Sequence, residues 1–137
     1  MIEVQVFKTS FSDYNLNTFQ ATISALIEDQ KKEEGELSLV FCSDDYLLEI
    51  NKKHLNHDYY TDIITFDYSE ENKISGDLLI SIDRVKENAK NFSVSFRQEL
   101  NRVVIHGVLH LCGYKDKTEK EKNQMRNLEN KYLKTIF

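Results

Sequence analysis

Residues 103–112 are apolar or glycine at every position but two, and the two exceptions are histidines four residues apart, His106 and His110. A helix that is apolar almost all round has no face to offer water, so this segment has to lie inside a core. Ser95, with Gln98 three residues on, has the order of a capping box and predicts where the helix starts. The core must then accept two imidazoles on one helix face, about 5–6 Å apart at Cβ, so that both rings can reach one ion. A His-x-x-x-His pair alone is more often a packing feature than a ligand pair. Here burying two imidazoles without a partner would cost on the order of several kcal/mol, and the next residues offer a partner. Gly113 lets the chain leave the helix through a left-handed turn, which can swing Asp116 back toward the rings. Two imidazoles and one carboxylate form a three-ligand set that leaves a position open for water or substrate, as a catalytic ion needs. The expected cofactor is one divalent metal ion, Zn²⁺ first, with other divalent ions able to use the same donors. Cys112 lies about 240° round the helix from His106 and reads as a small buried hydrophobe.

Around this helix the pattern predicts an α+β fold, a small mixed four-stranded sheet packed with about five helices, the metal site lying on a core helix and the turn after it. Residues 2–7 alternate as a strand. Phe19, Ile23, Leu26 and Ile27 follow helical spacing, predicting a helix over 16–33 that ends near Gly35. Residues 37–42 form a second strand, and Ser43 can cap a helix over 44–53 with Leu47, Leu48 and Ile50 inward. After a loop at 54–60, residues 62–66 and 77–82 are two more strands. A connection over 68–76 joins them, with Glu70, Glu71, Asn72 and Gly76 as its turn residues. Asp83 can cap a helix carrying Val85, Ala89 and Phe92 on one side. Thr118 with Glu121 repeats the capping box before a last helix whose inner stripe is Met125, Leu128, Tyr132 and Ile136.

The 137 residues are expected to form one domain, residues 1–137, with no linker: there is no proline, and only four glycines. No apolar run reaches the ~20 residues that span a bilayer, and the N-terminus does not have the build of a signal peptide. Cys42 and Cys112, both in apolar segments, fit free thiols in a reducing compartment, so a cytoplasmic protein with no membrane partner is expected. Net charge is −5, which alone argues against a polyanionic partner. Its distribution argues otherwise: residues 1–83 hold 6 Lys/Arg and 17 Asp/Glu, whereas residues 84–137 hold 12 and 6. The metal motif thus sits in a basic region that can offer a polyanion a local surface, with Arg97, Arg102 and Lys115 as candidate phosphate contacts; alternatively, these charges solvate one helix face.

An ion at such a site can lower the pKa of water toward ~7 and stabilise charge on a developing oxyanion, so hydrolysis is the expected reaction, with water as the nucleophile. The ligand spacing is that of metzincin peptidases, but those need Glu directly after the first His, and Gly107 stands there. The segment instead resembles the YbeY-type endoribonuclease family of bacterial ribosomal-RNA maturation factors, whose signature runs H-G-x-L-H-L-x-G-Y-D-H. His106, Gly107, Leu109, His110, Leu111, Gly113 and Tyr114 match it. Upstream, Thr61-Asp62-Ile63-Ile64-Thr65-Phe66 is similar to the family's T-D-V-L-S-F, and Gly76-Asp77-Leu78-Leu79-Ile80-Ser81 to its G-D-I-x-I-S. With Met125 and Glu129 downstream, the likeness spans roughly residues 45–133.

The resemblance implies a metal-dependent endoribonuclease that cuts single-stranded precursor rRNA, especially the 3′ end of the small-subunit 16S rRNA, in association with the small ribosomal subunit. Two departures from the family matter. Its third metal-binding His falls on Asp116, where a carboxylate can hold the ion equally well. Its basic loop residue, an Arg thought to serve catalysis, falls on Leu55, which cannot neutralise a phosphate; Lys52, Lys53, His54 and His57 are the nearby candidates to replace it. The general base and acid are not assigned. The rival readings are a metallohydrolase or peptidase of another substrate, a non-catalytic ribosome-assembly factor with a structural metal, and, less suited to ligands on one helix, an iron oxygenase.

Overall fold

Two long strands form the middle of the molecule, β2 (Glu33–Cys42) and β4 (Lys73–Ser81), which run parallel to each other. β1 (Ile2–Phe7) adds in parallel outside β2, and β3 (Ile63–Asp67) pairs antiparallel outside β4, giving the mixed order β1-β2-β4-β3. The computed structural model describes residues 1–9 and 16–137. Among these, five helices surround the sheet: α1 (Asn17–Asp29), α2 (Asp44–Leu55), α3 (Ile82–Asn91), α4 (Phe96–Leu111) and α5 (Glu119–Thr135). The fold is α+β, as the pattern of elements predicts.

Alternation along the strands divides the interior in two, since successive side chains point to opposite faces. Leu37, Leu39 and Phe41 of β2 and Leu78 and Ile80 of β4 turn to one face, where α1, α3, α4 and α5 close over them. Cys42, Ile64 and Leu79 turn to the other face, which Leu47 of α2 covers. At the centre of the larger core lies α4, whose Leu100, Val104, Ile105, Val108 and Leu109 are wholly buried. At about 1.5–3 kcal/mol per buried side chain, this helix contributes as much burial energy as any element of the fold. Gly107 lets it come so near: a Cβ there would stand 2.7 Å from Ile63 Cδ1 and 3.0 Å from Leu78 Cδ2. The glycine between the two histidines therefore seats α4 against the β3–β4 hairpin.

Several boundaries differ from the sequence expectation, each for a local reason. α1 ends at Asp29, not near Gly35: Lys31 takes the left-handed conformation (φ 59°), and Lys32 N–H returns to Ile27 O in a Schellman closure. Gly35 lies inside β2, at the register shift between Glu34 and Leu37, where Ser75 Oγ occupies the place a Cβ would take. Gly76 is not a turn residue either. It pairs with Leu37 and Asp67 in mid-strand, where a Cβ would meet Phe66 O at 2.4 Å, and the connection is the shorter 68–72. α2 continues two residues past its expected end, to Leu55. The cap of α3 is Ser81, whose hydroxyl accepts from Arg84 N–H, while Asp83 Oδ2 accepts from Asp44 N–H. Ser43, Ser95 and Thr118 cap their helices as expected, and at Thr118 both halves of the capping box form.

Candidate metal centre

α4 ends in a Schellman turn, with Tyr114 N–H bonding to Leu109 O and Gly113 N–H to His110 O. Gly113 takes φ 106°, which L side chains resist, and nothing lies within 4 Å of where its Cβ would be, so the backbone angle alone demands glycine. The turn reverses the chain, and Asp116 comes back over the helix end. His106 Nε2 and His110 Nε2 lie 3.0 Å apart, and Asp116 Oδ2 lies 3.3 Å from the first and 3.5 Å from the second. Three donor atoms thus converge on one point, and the three side chains remain a quarter to two fifths exposed. The turn is itself anchored. Tyr114 OH donates to Gln30 Oε1, Gln30 Nε2 donates to Tyr132 OH, and Tyr132 OH donates to Asp29 Oδ2, tying the loop to α1 and α5.

The opposite edge of each ring is also held. His106 Nδ1 lies 2.7 Å from Glu129 Oε2, and His110 Nδ1 lies 2.8 Å from Tyr114 O. A carboxylate and a carbonyl can only accept, so both Nδ1 atoms carry the proton. When both rings are neutral, both Nε2 atoms present lone pairs to each other and to a carboxylate oxygen. That arrangement is repulsive unless positive charge lies between the donors, and it is how protein-bound ions are usually supported from behind. The donor set therefore fits a divalent ion. The surroundings also favour positive charge: burial disfavours a charged His106, but the hydrogen bond and charge of Glu129, with Asp116 and Asp62, outweigh it and raise its pKa above the ordinary histidine range.

Glu129 is buried on α5 and its other oxygen accepts from Arg102 Nη1 at 3.0 Å. Burial works against its charge, yet His106 and Arg102 hold its carboxyl below the usual range. A cleft of about 520 Å³ opens beside the triad over α4. Its lining includes His106 and Asp116, the carboxyls of Asp62 and Glu99, and the cations Lys122 and Arg126. Glu99 is buried, its Oε1 has no hydrogen-bond partner, and Arg102 Nε is 3.7 Å away. Burial pushes the carboxyls of Glu99 and Asp62 up, against the charges of Arg102 and His106 respectively. A carboxyl whose charged form is disfavoured by burial accepts a proton more readily than a free one.

The match to known proteins covers nearly the whole chain. The family model described as Endoribonuclease YbeY matches residues 2–136. The chain belongs to the YbeY endoribonuclease family. A relative named Endoribonuclease YbeY from Flavobacterium johnsoniae is 50% identical over 127 residues, 93% of this chain and 91% of its own length. Another of that name, from Flavobacterium psychrophilum, is 54% identical over 112 residues, covering 82% and 80%. The solution structure of TM1509 from Thermotoga maritima superposes with a TM-score of 0.74 at 27% identity, covering 99% of this chain and 89% of that one.

Of the residues the sequence singles out, the structure brings His106, His110 and Asp116 together, and theirs is the one such cluster among the described residues. The YbeY loop position does not join them. Leu55 ends α2, 41% exposed, and neither it nor its basic neighbours line the cleft. Lys52 pairs with Asp58 at 3.3 Å, His57 stacks on Tyr59 and shares a hydrogen bond with its hydroxyl, and His54 meets the Phe66 ring edge-on. Arg102 is a half-buried partner of Glu129 and not a free surface cation. Sequence reasoning missed Glu99, and gave Asp62 and Glu129 no role beyond the resemblance. A signal existed for two of them. Glu99 lies seven residues before His106 on the same helix face, and Glu129 falls inside the stripe of Met125, Leu128 and Tyr132. A carboxylate on an inward face needs a partner.

Proposed function

We propose that this chain is a metal-dependent endoribonuclease that cleaves single-stranded RNA in ribosomal-RNA maturation, acting as one domain over residues 1–137. The observation that carries the reading is the convergence of His106 Nε2, His110 Nε2 and Asp116 Oδ2 beside a cleft that His106 and Asp116 line together with Lys122 and Arg126. The family match and relatives named as endoribonucleases agree with it. In this reading His106, His110 and Asp116 hold the ion, Zn²⁺ by preference for this donor set. The ion supplies Lewis acidity, which stabilises charge on a phosphate oxygen and makes water more acidic. The protein's part is to fix the two rings through Glu129 and the Tyr114 carbonyl, and to draw the phosphate backbone in with Lys122 and Arg126. The precursor of the small-subunit RNA, near its 3′ end, and the small ribosomal subunit are the proposed substrate and partner.

A cytoplasmic setting is proposed because Cys42 and Cys112 are both free thiols, as a reducing compartment keeps them. Among the described residues no helix is long and apolar enough to cross a membrane. Burial, with Asp83 and Asp44, pushes the Cys42 thiol to about 12, and burial pushes that of Cys112 to about 11, so both stay protonated and inert at neutral pH.

Protein purified without chelator should carry about one divalent ion per chain and cut single-stranded RNA in preference to duplex. Its RNA affinity should fall roughly 20-fold between about 50 and 200 mM salt, taking three phosphate contacts at a slope of about −0.7 each. Charge reversal at Arg97, Lys115 and Arg126 should weaken binding with little sequence preference, since backbone contacts carry none. Affinity indifferent to salt and to these reversals would sink the RNA reading. Leu55 favours one alternative, an assembly factor whose ion is structural: protein that holds the ion and RNA but turns over no phosphodiester would select it.

The third ligand has its own test. Asp116→His should keep the ion, because imidazole is an equally good donor, whereas Asp116→Ala should weaken it by at least about 10-fold, as loss even of a supporting group does. Equal ion affinity in Asp116→Ala and the parent, read by competition with a chromogenic chelator, would place the third donor elsewhere.

A further inference from the structure

Val85, Ala89 and Phe92 share one side of α3 by spacing, yet only the first two are buried; Phe92 is 61% exposed. The helix closure explains this. Ser93 takes the left-handed conformation (φ 56°), Val94 N–H returns to Ala89 O and Ser93 N–H to Lys90 O, so the chain turns inward at Val94 and leaves the ring outside. These bonds, with Phe92 N–H to Asn88 O, also fix the backbone that carries the ring. A lone exposed aromatic ordinarily needs no explanation. This one lines the same cleft as His106 and Asp116, one helical turn from Asn88, in a lining that also holds Lys122 and Arg126 from α5. Among the described residues the ring has no aromatic partner and the Asn88 amide no hydrogen bond.

We propose that Phe92 is the base-stacking platform of the cleft: a nucleotide whose backbone runs along Lys122 and Arg126 lays its base on the ring, with the Asn88 amide at the base edge. This rests on the RNA reading above and adds to it a reason for strand preference. A ring beside a backbone groove can take the face of an unpaired base, which a duplex keeps stacked on its neighbours. The ring accepts any base, because every base has a π-face, so stacking selects for single strands without selecting sequence.

The chain has no tryptophan, so Phe92→Trp introduces the sole indole as a reporter. Binding of a fluorescein-labelled single-stranded oligoribonucleotide is followed by anisotropy, and indole emission is followed separately with the unlabelled strand. The expected result is quenching by the single strand and none by an abasic strand of equal length that still binds. Phe92→Ala and Phe92→Leu should each bind the single strand about 5- to 150-fold more weakly, with melting temperatures near the parent's and duplex binding unchanged. Single-strand binding without quenching, equal quenching by the abasic strand, or parental affinity in Phe92→Ala would overturn the stacking role and leave the RNA reading standing. A parent protein that binds no RNA would overturn both.

Discussion

His106→Ala and His110→Ala proteins will each bind a divalent ion at least about 100-fold more weakly than the parent, beyond the 10- to 100-fold that loss of a supporting partner costs. Elemental analysis after gel filtration reads the loss, and RNA cleavage should vanish with it. Thermal unfolding gives a second reading. At an ion concentration 100 times its Kd the parent gains about 2.7 kcal/mol, whereas a variant binding 100-fold more weakly gains about 0.4 kcal/mol. The two variants should nonetheless differ when ion-free. His106 is the hydrogen-bond partner of buried Glu129, so its removal leaves a buried carboxylate with one partner fewer. His110 gives its Nδ1 proton to a backbone carbonyl on a turn held by other bonds, and its loss should cost less. Full ion occupancy in either variant would defeat the ligand assignment.

The parts of this site that are legible in the sequence are those set by local chemistry. The His106–His110 spacing, the φ that Gly113 must adopt and the return of Asp116 are all decided within eleven residues, and each is found in the structure. Element order and the caps at Ser43, Ser95 and Thr118 are local in the same sense. What sequence could not give depends on distant segments. Gly35 and Gly76 look like punctuation, yet both sit in strands where another backbone or side chain comes too close for a Cβ. Phe92 continues an apolar stripe, but the chain turns at Ser93 before the ring can follow. Glu99 and Asp62 stand on different elements and become one wall only when α4 settles on the β3–β4 hairpin, which Gly107 permits.

Leu55 shows the same limit from the other direction. By sequence, the nearby Lys52, Lys53, His54 and His57 look able to replace a missing basic group. In the structure Lys52, His54 and His57 have local partners, and the exposed cations of the cleft come from α5 instead, Lys122 and an Arg126 that also lies 3.7 Å from Glu129. Phosphate neutralisation is therefore expected from Lys122 and Arg126, about seventy residues further along the chain than the loop.

Glu129→Ala should be among the most damaging single changes outside the apolar core, and for two separable reasons. Its carboxylate is buried and divided between His106 Nδ1 and Arg102 Nη1, so removal leaves a half-buried guanidinium whose other carboxylate, Glu99, is 3.7 Å away. Breaking a buried pair from one side costs about 3–5 kcal/mol, which for a chain of this length lowers the melting temperature by roughly 10 °C or more. That loss should persist in ion-free protein, because Arg102 is stranded whether or not an ion is present. The second effect is on the ion: without Glu129 the His106 ring is free to turn and its Nε2 is a weaker donor, so affinity should fall about 10- to 100-fold. Glu129→Gln separates the two. It keeps the volume, but its amide can accept from Arg102 only by presenting N–H groups to the Nδ1–H of His106, or the reverse. The stability loss should then be smaller than for alanine while the fall in ion affinity remains. Pairing Glu129→Ala with Arg102→Met removes the stranded charge, and the double variant should be more stable than the sum of the two single losses allows. Melting within about 2 °C of the parent for Glu129→Ala in chelator, with unchanged ion affinity, would show that the carboxylate neither holds the ring nor stabilises the arginine.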